Sequence, residues 1–205
     1  MQIKSKYKIA KRLGSAVFEK TQSRKFALRS ERKVLKKTGK KGFRPMSDYG
    51  KALIEKQKAR FTYLLREKQF SNYVHKAINA KGVRPEEFLY QQLETRLDST
   101  AFRLGFSKSR TGAKQIVSHG HLAVNGKRVT IPSFRVSVGD KITPMGRSAG
   151  KKIITDILEY SKEYTAPNWL IFDSKKMEGI IKDLPKLVSN EVQFDLPVIL
   201  DFYKR

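Results

Sequence analysis

The sequence contains no cysteine among its 205 residues. This absence excludes a disulfide framework, a zinc site built from thiolates and a cysteine nucleophile. No run approaches the roughly 18 apolar residues of a transmembrane helix, so we expect no membrane partner. Acidic residues are scarce, with 19 Asp and Glu against 44 Lys and Arg, which gives a formal net charge of +25. Such a charge is typical of proteins that bind a polyanion, nucleic acid above all, and it disfavours an ordinary metabolic enzyme.

The positive charge is concentrated in two parts of the chain. Residues 1–45 carry a net charge of +14 and residues 93–152 carry +9, whereas residues 153–205 carry −2. The first part has few apolar side chains between residues 20 and 45, so we predict a largely irregular arm that orders on a phosphate backbone. A solvated tail and a basic mitochondrial transit peptide are the alternatives for this arm. A secretory signal peptide is not expected, because no apolar stretch follows Met1.

Helical periodicity begins after the arm. Ser47 and Asp48 are suitable N-cap residues, and apolar residues recur near helical spacing up to position 65. A second helix is predicted from about Glu67 to Ala80, and Pro85 is predicted to open a third. We therefore expect residues 46–92 to form a small helical domain, completed by residues 188–205.

The middle of the chain combines short helices with a small antiparallel sheet. An apolar stripe through residues 93–104 predicts one helix that ends at Gly105, and Ser107 is predicted to cap the next, which ends at Gly120. The dipeptide Asn125-Gly126 between alternating apolar residues predicts a hairpin, whose second strand contains positions 129 and 131. Apolar residues at 136, 138 and 142 predict a third strand.

Several segments in this order resemble a known family. Residues 93–98 (Leu-Glu-Thr-Arg-Leu-Asp), 103–106 and 113–121 are similar to the helical half of an S-four-type RNA-binding domain, and residues 124–129, 131–133 and 138–142 are similar to its hairpin half. The flanking segments 47–50 (Ser-Asp-Tyr-Gly), 55–58, 67–70 and 167–170 (Pro-Asn-Trp-Leu) resemble bacterial-type small-subunit ribosomal protein S-four. The similarity spans about residues 44–172.

The resemblance implies an α+β fold with three parts. These are a basic irregular RNA-threading arm (1–45), a helical domain (46–92) and an RNA-binding domain of short helices on a small antiparallel sheet, with a C-terminal extension (93–187). It implies a non-enzymatic structural constituent of the small ribosomal subunit that binds ribosomal RNA early, nucleates assembly and influences translational accuracy. The implied partners are the five-prime domain of that RNA, neighbouring proteins, notably the fifth, and messenger RNA where it enters the subunit. A cytoplasmic ribosome is expected, with an organellar ribosome as the alternative, and no cofactor is expected.

The predicted RNA-binding residues are mostly basic. Arg110 and Lys114 lie one turn apart on a helix that is predicted to pack through Ala113, Ile116 and Val117, so we expect both side chains to lie free of the core. Arg103 is expected to extend the same surface. The full predicted set is Lys11, Arg12, Lys40, Lys41, Arg44, Tyr49, Lys56, Lys58, Arg103, Lys108, Arg110, Lys114, His119, His121, Lys127 and Arg128.

Several features favour other interpretations. Arg96-Leu97-Asp98 is similar to the catalytic aspartate motif of pseudouridine synthases, but we predict that Asp98 caps a helix. A truncated RNA-modifying enzyme and a stand-alone RNA chaperone of stalled ribosomes remain the rival classes.

No metal site is predicted. His119 and His121 lack nearby ligands, and the zinc-binding cysteine cluster that many members of the family carry is missing here. Residues 146–152 resemble a P-loop only by chance. Trp169 is predicted to lie in the core.

Overall fold

The computed structural model of the protein describes residues 5–28, 46–145, 165–173, 175–188 and 192–204. These residues separate into two units. The helical unit comprises the described residues of 1–86 and 188–205, and the α+β unit comprises those of 87–187. The predicted α+β class is confirmed. In chain order the elements are α1 (Lys6–Leu13), α2 (Asp48–Thr62), α3 (Glu67–Ile78), α4 (Pro85–Glu94), α5 (Leu97–Arg103), α6 (Arg110–Ser118), β1 (Leu122–Val124), β2 (Lys127–Arg128), β3 (Lys141–Pro144), β4 (Leu170–Asp173), β5 (Glu178–Ile181) and α7 (Leu196–Lys204).

Residues 5–28 of the predicted irregular arm are folded. Helix α1 is followed by a 3₁₀ turn at Glu19–Thr21 and by helical residues at 24–28. Phe18 and Phe26 are buried in a cluster that also holds Leu64, and Phe61 of α2 packs against it. The prediction of an irregular arm is therefore wrong for these residues, because a few apolar side chains suffice when a neighbouring helix supplies the rest of the core. Residues 29–45 lie outside the described part.

The C-terminal helix α7 packs on α2 and α3. Its residues Leu196, Ile199 and Leu200 are buried. The segment is also tied by hydrogen bonds, since the backbone N–H of Asp195 donates to Glu55 at 3.0 Å. Residues far apart in the chain thus build one helical core.

The α+β unit contains a five-stranded antiparallel sheet in the order β2-β1-β3-β5-β4. The hairpin forms at the predicted dipeptide, where Asn125 and Gly126 both have positive φ, at 51° and 78°. The side-chain amide of Asn125 donates a hydrogen bond to Asp140 at 2.8 Å, which fixes this turn beside the start of β3. Two predicted strands are displaced: β2 is Lys127–Arg128 and β3 begins at Lys141. Trp169 is buried in the core of this unit, as predicted.

The stripe predicted as one helix over residues 93–104 is divided in two. Helix α4 ends at Glu94 and α5 begins at Leu97. The break is held by the segment 132–136, whose carbonyls at Phe134 and Pro132 accept hydrogen bonds from the backbone N–H groups of Leu97 (2.8 Å) and Asp98 (3.1 Å). These carbonyls satisfy donors that a helix N-terminus would otherwise leave unpaired.

Gly179 in β5 allows the sheet to approach α5 closely. A Cβ at this position would lie 2.4 Å from Cδ1 of Leu104, and Leu104 is itself buried in the core. Gly179→Ala is therefore expected to lower the free energy of unfolding by about 1–3 kcal/mol through overpacking. Chemical unfolding followed by Trp169 fluorescence measures this. Adding Leu104→Ala to Gly179→Ala should cost less than the sum of the two single changes; strict additivity would contradict the proposed clash.

Candidate nucleic-acid interface

Among the residues that the structure describes, five of the predicted RNA-binding cationic side chains are exposed on the surface. Lys11 and Arg12 lie in the last turn of α1, and Lys108 precedes α6. Lys127 and Arg128 form the short edge strand β2. Helix α1 turns Ala10 and Leu13 inward, which leaves its basic residues outside. Each unit therefore presents positive charge that can meet phosphate.

Arg128 joins the edge strand to the end of α6. Its guanidinium donates hydrogen bonds to the carbonyls of Gly120 and His119, both at 3.1 Å. A Cβ at Gly120 would lie within 2.2 Å of this guanidinium, and φ there is +72°, so glycine suits the position on both counts. The rings of His119 and His121 stack with centroids 5.9 Å apart. This end of α6 thus gathers two imidazoles and one guanidinium at the surface.

Arg103 and Arg110 do not lie free of the core, so that prediction is wrong. Both guanidinium groups bind the carboxylate of Glu94, which is fully buried. The distances are 2.9 Å from Nε of Arg103 and 3.0 Å from Nη2 of Arg110. Arg110 also lies over the ring of Phe102, with 4.8 Å to the centroid. A buried acid needs such partners, and this requirement explains why two arginines of neighbouring helices turn inward. Lys114 is half-buried on α6.

Asp98 forms a second buried ion pair. Its two oxygens accept from Nε and Nη2 of Arg96 at 3.0 and 2.8 Å, and both residues are buried. The helix begins at Leu97, so Asp98 lies in its first turn rather than at the predicted cap position, although it accepts from the N–H of Ser99. Similarly, Ser109 and not Ser107 caps α6, by accepting from Gly112 N.

Lys56 and Lys58 also belong to internal networks of the helical unit. Lys56 is buried, and its Nζ donates to Glu67 at 2.7 Å while it lies 4.8 Å from the ring centroid of Phe202. Lys58 pairs with Glu55 at 2.7 Å. These contacts hold both ammonium groups against acidic side chains of the unit. A phosphate site would need ammonium groups that face solvent. Tyr49, by contrast, is exposed.

Glu67 and Tyr203 perturb each other. Burial raises the pKa of Glu67, but hydrogen bonds from Lys56 and Tyr203 and the charges of Lys56 and Arg60 outweigh it and leave the pKa below its ordinary value. Burial and the hydrogen bond to Glu67 at 2.8 Å raise the pKa of the Tyr203 hydroxyl. The carboxylate therefore holds α2 and α7 together in its ionised form.

Glu67→Gln is expected to reduce the sensitivity of the helical unit to acid. Because the pKa of Glu67 is lowered in the folded state, its carboxylate stabilises the fold above its ordinary pKa, and this stabilisation is lost as pH falls through the folded value. The free energy of unfolding should then fall less steeply between about pH 5 and 3 in the variant. Urea unfolding followed by circular dichroism measures the slope. Asp201→Asn, at an exposed carboxylate of the same unit, is the control; equal slopes in wild type and Glu67→Gln would contradict the assignment.

Some predicted positions lie outside the described residues, and some exposed residues were not predicted. Lys40, Lys41 and Arg44 and the P-loop-like residues 146–152 lie outside the described residues. Arg135 is exposed beside the turn that holds α5, and Phe134 in that turn is 38% exposed. Neither residue was singled out from the sequence, because exposure at this turn depends on how the segment packs against α5.

The described ranges contain neither a metal-binding cluster nor a candidate membrane span. No set of three or more His, Asp or Glu side chains in these ranges could hold a metal ion. Within the same residues, no helix has both the length and the apolar character to cross a membrane.

Comparisons with known proteins show to which family the chain belongs. A family model described as "Ribosomal protein S4/S9 N-terminal domain" matches residues 2–94, and the "S4 domain" model matches residues 95–142. Small ribosomal subunit protein uS4 of Chlorobium limicola is 41% identical over 160 residues, covering 78% of each chain. The uS4 proteins of Akkermansia muciniphila (36% identical, 97% of this chain and 96% of that one) and Shewanella loihica (39%, 98% and 97%) match over nearly the whole length. The chain therefore belongs to the uS4 family of structural, non-enzymatic small-subunit ribosomal proteins.

Proposed function

We propose that this protein binds ribosomal RNA of the small subunit early in assembly, nucleates folding of the five-prime domain and influences translational accuracy. The proposal rests on one observation: in a chain that belongs to the uS4 family, both folded units have exposed cations. A structured RNA is recognised through its shape and its phosphates, because its narrow major groove excludes side chains. Two rigid units that present fixed positive charge suit this kind of recognition.

The RNA-facing residues that we propose are the exposed ones of the predicted set. In the helical unit these are Lys11, Arg12 and Tyr49, and in the α+β unit they are Lys108, His119, Lys127 and Arg128, with half-buried Lys114 and His121 beside them. Lys40, Lys41 and Arg44 are proposed from the sequence alone, as part of an arm that threads into RNA grooves. Arg103, Arg110, Lys56 and Lys58 are assigned to the internal ion pairs described above.

The proposed setting is the cytoplasmic ribosome. The protein would lie beside the fifth small-subunit protein and near messenger RNA where it enters the subunit. Sucrose-gradient sedimentation of a lysate tests this setting: the protein should migrate with small subunits at moderate salt. A pool that stays entirely at the top of the gradient would overturn the proposal.

Reversing two exposed charges is expected to weaken RNA binding without unfolding the protein. Lys108→Glu with Lys127→Glu replaces attraction to phosphate with repulsion at two points of the α+β unit. The affinity for a five-prime-domain transcript should fall several-fold to many-fold at modest salt, and the slope of log K against log salt should decrease by roughly 1 for each lost contact. Filter binding over a range of salt concentrations measures both quantities.

The matched control carries the same charge change elsewhere in the unit. Lys175→Glu with Lys176→Glu alters two exposed lysines in the acidic C-terminal part of the sequence. Thermal melting should be similar for both double variants, since surface substitutions usually change stability by about 0.5 kcal/mol or less. An equal loss of affinity in the control would mean that only net charge matters and that the proposed surface is wrong.

A further inference from the structure

Two aromatic rings pack together at the surface of the helical unit, one of them exposed and the other half-buried. Tyr49, in the first turn of α2, is 56% exposed, and its ring centroid lies 5.4 Å from that of Phe202 near the end of α7, at an interplanar angle of 34°. The exposed face of Tyr49 is not part of the buried core of the unit. A ring that is left in water in this way is available to a ligand.

Neighbouring side chains hold the two rings in place. The Nζ of the buried Lys56 lies 4.8 Å from the centroid of the Phe202 ring, and Glu67 fixes that ammonium group at 2.7 Å. Tyr203, the next residue in α7, donates to the same carboxylate at 2.8 Å. The start of α2 is fixed as well, because the Ser47 hydroxyl accepts from Gly50 N at 3.2 Å. A ring that is already fixed loses little conformational entropy when a ligand stacks on it.

The charged residues around the pair are neutralised locally. Lys51 pairs with Asp48 at 3.0 Å on α2, and Lys204 pairs with Asp201 at 3.4 Å on α7, and all four side chains are well exposed. The described charges next to the two rings in sequence are thus held in two ion pairs. The exposed part of the pair is a single tyrosine ring, which matches one planar heterocycle in size, whereas a stable protein interface buries about 800 Å² on each side.

We propose that Tyr49, supported by Phe202, is a stacking platform for one unpaired nucleobase of the bound RNA. The inference rests on the proposed function and goes beyond it by assigning a base-binding subsite. Every nucleobase offers a π-face, so stacking on an aromatic ring is tolerant of sequence and contributes affinity without neutralising phosphate. Its contribution should therefore be nearly independent of salt, unlike that of the exposed lysines.

The test compares variants of the full-length protein on a five-prime-domain transcript. Tyr49→Leu should lower the affinity roughly 5- to 150-fold, with an unchanged salt slope. Tyr49→Phe keeps the ring and should bind within about twofold of the wild type, and Phe202→Leu should give a smaller loss. With a transcript that contains 5-iodouridine, photo-crosslinks should map to the peptides that hold Tyr49 or Phe202.

Tyr7 is the matched control. It is 52% exposed and belongs to the same unit, but its aromatic neighbour, Phe26, is buried. Tyr7→Leu should therefore leave the affinity within about twofold of the wild type. Wild-type affinity in Tyr49→Leu, equal losses in Tyr49→Leu and Tyr7→Leu, or crosslinks confined to other peptides would each overturn the platform.

Two further outcomes separate this inference from its alternatives. If residues 29–45 of this chain cover the rings, Tyr49→Leu would lower the melting temperature of the RNA-free protein and leave RNA affinity unchanged, which would overturn the proposal. If the wild type binds the transcript no better than random RNA, the proposed function itself fails. If the wild type discriminates and Tyr49→Leu binds equally well, only the platform fails.

Discussion

Replacing Glu94 by alanine is expected to lower the free energy of unfolding of the α+β unit by about 3–5 kcal/mol. Glu94 is fully buried and is the shared partner of Arg103 and Arg110. Without the carboxylate, two guanidinium groups would keep their positive charge in a largely dehydrated place and would repel each other. Removal of one member of a buried ion network is among the most destabilising single changes in a protein.

The single tryptophan makes this measurement specific. Trp169 is the one tryptophan in the sequence and lies in the core of the α+β unit. Urea unfolding followed by its fluorescence therefore reports on that unit in the full-length protein. Asp183→Asn is the control, because Asp183 pairs with Lys186 on the surface at 3.5 Å, and such pairs contribute about 1 kcal/mol or less. Similar losses in the two variants would show that Glu94 is not a structural centre.

The same geometry predicts the effect of charge reversal at Arg110. Arg110→Glu would place a second carboxylate against Glu94 and would leave Ser99 Oγ without its donor, which now lies 3.2 Å away. We expect this change to destabilise the α+β unit at least as strongly as Glu94→Ala does, so a loss of RNA binding in that variant would report unfolding. This is why the RNA-binding test above uses Lys108 and Lys127.

Ending the chain after Gln193 is expected to unfold most of the helical unit. The deletion removes the buried side chains of Leu196, Ile199 and Leu200, each of which contributes roughly 1.5–3 kcal/mol by leaving water. It also exposes Lys56 and removes the hydroxyl that donates to Glu67. A loss of that size is comparable to the whole stability of a small domain.

Circular dichroism and tryptophan fluorescence separate the two units in this experiment. The helical signal at 222 nm should fall and its thermal transition should broaden or vanish, while the Trp169 emission should stay native. Ile199→Ala is a milder variant and should cost about 2–5 kcal/mol, with Asp201→Asn as the exposed control in the same helix. Cooperative melting of the truncated chain with full helical signal would contradict this account of the core.

The predictions that the sequence supported best depended on local chemistry. The N-cap at Ser47, the helix that opens at Pro85, the ends at Gly105 and Gly120 and the hairpin at Asn125-Gly126 each follow from the backbone preferences of one or two residues. The uS4 family was also predicted correctly, because its motifs are short and contiguous. These features need no knowledge of what lies across the fold.

The surface of the protein was decided by its tertiary structure. Arg103 and Arg110 read as an exposed basic face because helical periodicity shows which residues share a side of a helix, not what lies opposite that side. Their partner Glu94 lies 9 and 16 positions away and is fully buried. Both arginines point inward because the buried carboxylate of Glu94 needs positive charge beside it.

The folding of residues 5–28 and the division between α4 and α5 have the same kind of origin. Phe18 and Phe26 look too sparse to form a core until α2 contributes Phe61 to the same cluster. The stripe through residues 93–104 reads as one helix until the carbonyls of Pro132 and Phe134 receive the N–H groups that start α5. Sequence by itself determined the N-cap at Ser47, several helix ends, the hairpin turn, the family and the excess of positive charge. Which charges face solvent depended on long-range contacts, because burial and hydrogen-bond pairing are properties of residues that meet only after the chain has folded.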